Sequence, residues 1–329
     1  MEAVTQLLAA LVLARAALKR LAADSAWALA ALALLLDADL LSPRFGAAAY
    51  LEWRRTATHS LAGAATVAIA VAVLFWLSGR WSRRPVRLWA ALAACLTGAG
   101  VHLVVALLDA HGAQLLWPFR RDWYAWDLLE PMDPWVLVLL AGGLLLPALF
   151  GLVSEEIGAR RPQRSSSPGA LLALLLVAGY CGSRAVLHER ARQMLDARLY
   201  DGAAPLALGV FPASASPLLW RGVVETETTL EVFDVRVGVE ATLRARSTHY
   251  KPEPSPVLEA ARSTEAVQRF LLFARFPLAR IVRQVEGYRV EIHDLRFEPS
   301  PTVPVPMAVV ETDETLRVTM QRIEFARTP

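Results

Sequence analysis

The aspartates and histidines of the first half of the chain stand at the ends of apolar stretches. Asp37 and Asp39 close one such stretch and His59 stands just before the next. His102 lies inside a third, with Asp109 about two helical turns further on the same face. His111, Asp122, Asp127 and Asp133 follow in the connection after it. Carboxylate and imidazole together make a mixed oxygen/nitrogen donor set suited to zinc, manganese or iron. Ionisable groups in or beside a membrane are costly, so their gathering at one end of several apolar segments points to a functional site.

Each residue also has a plainer role open to it. Asp37 and Asp39 can simply end a helix and meet water. His59 follows Thr58, a residue able to cap the next helix, and a lone intramembrane histidine such as His102 often serves only as a hydrogen bonder between helices. Asp127 and Asp133 precede an apolar segment, where a carboxylate complements a helix N-terminus. Asp109 on the His102 stripe tips that pair towards function. Other chemistries lack their spacing: there is no P-loop, no dinucleotide fingerprint, no nucleophile elbow and no HExxH. Cys95 and Cys181 sit in apolar runs, with neither a disulfide framework nor a CxxC pattern.

The elements that must position these groups follow from the hydropathy. Of the 329 residues, 55% are hydrophobic and 20% charged, a balance that excludes a disordered or collagen-like chain. A net charge of +3, spread along the sequence, gives no basis for a nucleic-acid partner. Residues 1–183 carry 15 basic and 12 acidic side chains, leaving 19 of each for residues 184–329. The pattern predicts a multi-span membrane domain over 1–183 and a soluble domain over 184–329. Leu61–Ser78, Leu88–Leu108, Trp135–Val153 and Gly169–Ser183 read as spans. Val4–Ala22 and Ala26–Leu36 are weaker and read as a helical hairpin turning at Asp24 and Ser25, for about six helices in all.

The connections after the first, third and fifth helices hold nine basic residues: Lys19, Arg20, Arg80, Arg83, Arg84, Arg87, Arg160, Arg161 and Arg164. The opposite loops, 37–60 and 109–134, hold five: Arg44, Arg54, Arg55, Arg120 and Arg121. The positive-inside rule puts the richer set in the cytoplasm, and the C-terminal domain outside. In that domain Val235, Val237, Val239, Ala241 and Leu243 alternate with polar or small residues as one strand. Tyr288–Ile292 and Leu316–Met320 repeat the alternation. Ser263 could cap a helix bearing Val267, Phe270, Leu271 and Ala274 on one face. Prolines 252, 254 and 256 mark a loop before it, and prolines 301, 304 and 306 another after it. The fold class is thus an α-helical polytopic membrane domain followed by a smaller, β-rich α+β domain.

Several motifs come in a recognisable order over residues 1–153. They are Thr5-Gln6-Leu7, Leu13-Ala14-Arg15-Ala16, Leu36-Asp37-Ala38-Asp39 and Arg54-Arg55-Thr56-Ala57-Thr58-His59-Ser60. His102, Gly112, Leu115-Leu116-Trp117-Pro118-Phe119, and Asp127 and Asp133 ahead of Pro134-Trp135 complete the set. In these the chain resembles the YdjM-type family of LexA-regulated, inner-membrane, metal-dependent hydrolases. Trp220-Arg221-Gly222-Val223-Val224-Glu225-Thr226 is similar to a segment in the soluble tail of some relatives. The resemblance implies a bacterial inner-membrane hydrolase distantly similar to zinc phospholipase C and P1-type nucleases. Asp37, Asp39, His59 and His102 would be its metal ligands. It implies a phosphoester or lipid substrate at an outward-facing site, with zinc or manganese as the cofactor. Arg55 could hold a phosphate oxygen or anchor at the lipid headgroups; outside the family pattern, Asp109, one turn beyond Ala106 on the same helix face, could complete a shifted site.

Three positions depart from the family pattern: Gln6 replaces an opening His, Arg54 the first His of a pair, and Ala106 an Asp four residues after His102. None of the three supplies a good transition-metal donor. The sequence therefore leaves two readings in play: a shifted, living hydrolase site, or a scaffold without metal that binds a lipid, ligand or partner. A six-span transporter with His102 in a proton relay ranks behind both, because the polar groups collect at one face and no broken-helix repeat is present.

Overall fold

The computed structural model describes residues 2–16, 25–81, 86–156, 168–213, 216–238, 240–297 and 305–326. Lys19, Arg20, Asp24, Arg83, Arg84, Arg160, Arg161, Arg164, Val239, Pro301 and Pro304, which carry parts of the orientation, hairpin and loop readings, lie outside them. The chain forms two compact units. One comprises Met1–Ala38, Arg55–Arg120 and Tyr124–Val186; the other comprises Asp39–Arg54, Arg121–Trp123 and Leu187–Pro329.

The first unit is built on helices α1 (Glu2–Ala16), α2 (Ser25–Leu36), α4 (Leu61–Trp81), α5 (Leu88–Leu107), α6 (Pro134–Glu156) and, as far as Val186, α7 (Pro168–Asp196). A 3₁₀ segment, Asp37–Phe45, continues directly from α2. Among the described residues four helical stretches are long and apolar enough to cross a membrane: Ser25–Phe45, α4, α5 and α7. The apolar parts of α1 and α6 are shorter, Ala3–Ala16 and Pro134–Phe150. The side chains turned inward are small. Ala64, Ala68 and Ala72 of α4 meet Ala91, Ala94, Cys95 and Ala99 of α5 in one buried cluster with Leu29 and Leu32 of α2. Small residues let helix backbones approach closely where lipid removes the hydrophobic drive for association. Gly98 is the tightest case on α5, since a Cβ there would stand 2.5 Å from the Leu29 side chain. Leu74, Leu146 and Leu175 remain exposed, as expected of helices whose outer faces meet lipid.

The second unit holds two antiparallel four-stranded sheets, β1-β2-β3-β4 and β5-β6-β7-β8, each a simple meander. The first comprises β1 (Ala207–Pro212), β2 (Leu219–Glu225), β3 (Thr229–Arg236) and β4 (Thr242–Tyr250); the second comprises β5 (Pro277–Gln284), β6 (Gly287–Asp294), β7 (Pro306–Thr312) and β8 (Val318–Phe325). The core of the first gathers Trp220, Phe233 and Val235 around Ala191 and Leu195 of α7. The second is covered by α8 (Pro256–Arg262) and α9 (Glu265–Leu271), whose Leu258, Val267 and Phe270 pack on Val290, Ile292 and Val310. The short α3 (Ala47–Trp53) belongs to this unit as well: Tyr50 meets Phe325 edge-on and Leu51 joins the α8/α9 cluster.

Local details depart from the sequence reading. The single strand expected over 230–243 is a hairpin, β3 and β4, with Arg236 paired to Thr242. Val235 and Val237 are buried on the way into the turn and Leu243 is partly buried on the way out, so the alternation runs across the bend. Ser263 ends α8, and Thr264 is the N-cap position of α9. Pro256 is not loop but the first residue of α8, where its fixed φ suits the helix start, and Ser255 caps it by accepting the Leu258 N–H. Leu316 precedes β8 in a turn with φ of 64°.

Candidate metal centre

Asp37 lies at the junction of α2 and the 3₁₀ segment, His59 in the turn before α4, and His102 on the last full turns of α5. All three are buried, at 5%, 1% and 3% exposure. The two imidazole Nε2 atoms face each other at 3.2 Å. Asp37 Oδ1 stands 3.7 Å from each of them. A triangle with sides of 3.2, 3.7 and 3.7 Å has its centre about 2.1 Å from every corner, which is the bond length of zinc to imidazole nitrogen and carboxylate oxygen. Among the described residues these three are the His/Cys/Asp/Glu group that could hold a metal ion. The donors present therefore fit a divalent ion.

The surroundings hold the two histidines in place. Ser60, not Thr58, caps α4: its Oγ accepts the Gly63 N–H at 2.9 Å. Thr58 instead meets His59 Nδ1 at 3.1 Å, a contact that orients the ring and leaves Nε2 for the site. The turn before α4 is tied to the loop after α5 by Gln114 N–H to Arg55 C=O and Leu61 N–H to Leu115 C=O, at 3.0 and 2.9 Å. Gly63 must be glycine here, because a Cβ would stand 1.9 Å from the Ala57 carbonyl oxygen. Gln6 of α1 donates its side-chain amide to the His102 carbonyl at 3.2 Å.

Arg55 and Asp109 are brought to one another. Their side chains form a buried ion pair, and Arg55 Nη1 also donates to the carbonyls of Ala106 and Gly112 at 2.9 and 3.3 Å. A guanidinium on the Ala106 carbonyl, in the last turn of α5, caps that helix end and opposes its dipole. Arg55 is not helical; its φ of 52° is left-handed, a conformation costly for any residue but glycine. Asp109 accepts the His111 N–H at 2.6 Å as well. Asp39 is not in the triad: it lies in the second unit, where Arg54 donates to its Oδ1 at 2.8 Å and both side chains are buried. Of the three altered positions, Gln6 thus contacts a ligand's backbone, Ala106 offers its carbonyl to Arg55, and Arg54 neutralises Asp39.

Asp133 is the N-cap of α6, accepting the Trp135 and Val136 N–H groups at 3.0 and 3.3 Å and the Tyr180 hydroxyl at 2.9 Å. Asp127 is buried with φ of 57°. Sequence reasoning misses Gly63, Ser60, Gln114 and Tyr180 as supports. A serine three residues before a glycine at a helix start is the one signal that could reveal the first two.

A bundle of apolar helices with a buried Asp–His–His centre, joined to a two-sheet α/β domain, defines a class of membrane protein with a metal-competent site. The chain belongs to the YdjM inner membrane protein family, whose model matches residues 1–191. Residues 256–327 match a second model, the YfhP C-terminal alpha/beta plait domain, which corresponds to α8, α9 and the second sheet. The chain is 23% identical over 291 residues to YfhP of Bacillus subtilis (strain 168), covering 85% of this chain and 80% of that protein. No solved structure matches.

Proposed function

We propose that this protein is a membrane-embedded, metal-dependent hydrolase of a phosphoester or lipid-related substrate, with zinc as the ion or manganese in its place. The observation that carries the reading is the Asp37–His59–His102 triangle, whose centre lies at bonding distance from three buried donors. A divalent ion held there would supply Lewis acidity, lowering the pKa of a water and polarising a phosphoryl oxygen. The rest falls to the chain. Three protein donors match the number that hold catalytic zinc while leaving a position for substrate or water. Arg55 and Asp109 serve as positioning residues, fixing the end of α5 about one turn beyond His102. For Arg55 to hold a phosphate oxygen, it would have to exchange part of its pairing with Asp109.

The experiment is metal content by elemental mass spectrometry on detergent-purified, tag-free protein beside the His59→Ala/His102→Ala double variant. The expected result is about one zinc or manganese per chain in the parent and none in the variant, followed by chelator-sensitive hydrolysis in a phosphoester screen. No metal in either protein would overturn the hydrolase reading and favour the alternative that Gln6, Arg54 and Ala106 suggest, a scaffold that binds a ligand or partner without catalysis.

We further propose that all six apolar helices cross the membrane and that the C-terminal domain is extracytoplasmic. Two observations support this. The nine basic residues of one loop set outnumber the five of the other. And Asp39–Arg54, Arg121–Trp123 and Leu187–Pro329 form one compact unit, which supports a common side for the two loops and the C-terminal domain. An alkaline phosphatase fused at residue 329 should be active in intact cells; a silent phosphatase with a fluorescent cytoplasmic reporter at the same point would reverse the orientation.

A further inference from the structure

The helical unit contains a second feature next to the triad, a cavity of about 100 Å³ among α1, α5, α6 and α7. Its wall is apolar over most of its extent, with Ala9, Val101, Val105, Leu140 and Leu174 contributing. One end is polar, where Arg55, Asp109 and Asp133 border it. Leu140 is seven residues into the membrane from Asp133, and Val101 eight residues from Asp109. At 1.5 Å of rise per residue the cavity is therefore a slot about 10 Å deep, running along the helix axes from the polar end.

Near that end, Thr5 is 7% exposed, and its Oγ1 is buried with no hydrogen-bond partner. An unmet hydroxyl on an apolar cavity wall is a position for one ligand oxygen or one donor. An apolar slot about 10 Å deep with one hydroxyl among its lining residues matches the first part of an unbranched hydrocarbon chain carrying one carbonyl.

The slot and the metal centre use adjacent stripes of one helix. Val101 and Val105 of α5 line the slot, while His102 occupies the next stripe round. Gln6 lines the slot and holds the His102 carbonyl.

We propose that this slot is a binding site for one acyl chain of an ester-linked membrane lipid, with the Thr5 hydroxyl donating to the ester carbonyl. Such a site would make a phospholipid the substrate class of the metal centre, a consequence that rests on the hydrolase reading above; the acyl site itself does not.

The test is native mass spectrometry of the full-length, metal-loaded protein titrated with dioleoyl phosphatidic acid. Parent protein is compared with Thr5→Val, which keeps the shape and removes the hydroxyl, and Leu140→Trp, which fills the slot. Metal content is measured on all three as the check that the helical unit is intact. The parent should retain one lipid per chain saturably. Thr5→Val should weaken retention about tenfold, the worth of one hydrogen bond made in a dry site. Leu140→Trp should abolish it with metal unchanged. A parent that retains no lipid, or a metal-loaded Leu140→Trp that retains it like the parent, would overturn the proposal. Lipid bound but never cleaved upholds the acyl site and sinks phospholipid as the substrate class; cleavage of a water-soluble phosphoester with no lipid retained sinks the acyl site and upholds the hydrolase.

Discussion

Asp37 and Asp39 stand two residues apart and take different partners: Asp37 faces His59 and His102, and Asp39 holds Arg54. Removing one member of a buried ion pair leaves the other charge uncompensated, at a cost of about 3–5 kcal/mol, whereas replacing both with apolar groups is close to neutral. Asp39→Ala should therefore lower the thermal midpoint sharply while leaving metal content unchanged, and Asp39→Leu/Arg54→Met should recover most of the loss. Loss of metal in Asp39→Ala at a temperature where the protein stays folded would put Asp39 back among the ligands. Position and residue type make His59, just before an apolar span, and His102, inside one, legible as candidate donors in the sequence. Which carboxylate faces a histidine and which an arginine is not legible there. Asp39 and Asp109 have the same chemistry as Asp37, and their claimants lie 15 and 54 positions away, so the fold decides, not the spacing.

The elements carry the site through a few close approaches. Gly63 occupies the first turn of α4 under the Ala57 carbonyl, a contact any side chain would break against backbone rather than a movable side-chain tip. Gly63→Ala should push away the turn that holds His59 and reduce bound metal several-fold. Gly98→Ala meets only the flexible side chains of Leu29 and Leu32 and should keep its metal. Equal metal in the two variants, measured by elemental analysis, would count against the turn as the support of His59. The helices themselves are readable, since runs of about twenty apolar residues have one main use. The hairpin of β3 and β4 is not. Its two strands present Val235 and Leu243 to the same side, and a period of two that survives a bend looks like one longer strand. Ser60 is hidden for a similar reason: Thr58 is an equally good cap by type, and only the register of the turn separates them.

In the molecule as a whole, acid should act on the second unit through His293. Burial pushes this imidazole below its ordinary value, with repulsion from His249 adding to the effect and Asp294 and Glu291 opposing it. The unfolded chain takes up a proton near pH ~6.5, while the folded one resists until lower pH. Stability is thus complete above pH ~6.5 and falls as the pH drops below it, by at most about 1.4 kcal/mol per pH unit. Thermal midpoints measured from pH 8 to 5.5 should fall over that window, and His293→Gln should flatten the fall; an unchanged slope in the variant would exonerate His293. Composition alone distinguishes the apolar from the soluble part of this chain. That residues 39–54 and 121–123 pack with the soluble part is invisible to it, because two short loop segments carry no periodicity of their own. Their membership has a consequence for biogenesis. Tyr50 is 7% exposed against Phe325, a residue 275 positions later in the chain. At a synthesis rate of ~5–20 residues per second, α3 waits between ~15 and ~55 s for the strand that covers it. A nascent chain of this protein thus carries an uncovered aromatic helix through nearly the whole of its translation. A ribosome that stops short of β8 would release a product with its helices made and Tyr50 bare, a natural mark for quality control to recognise.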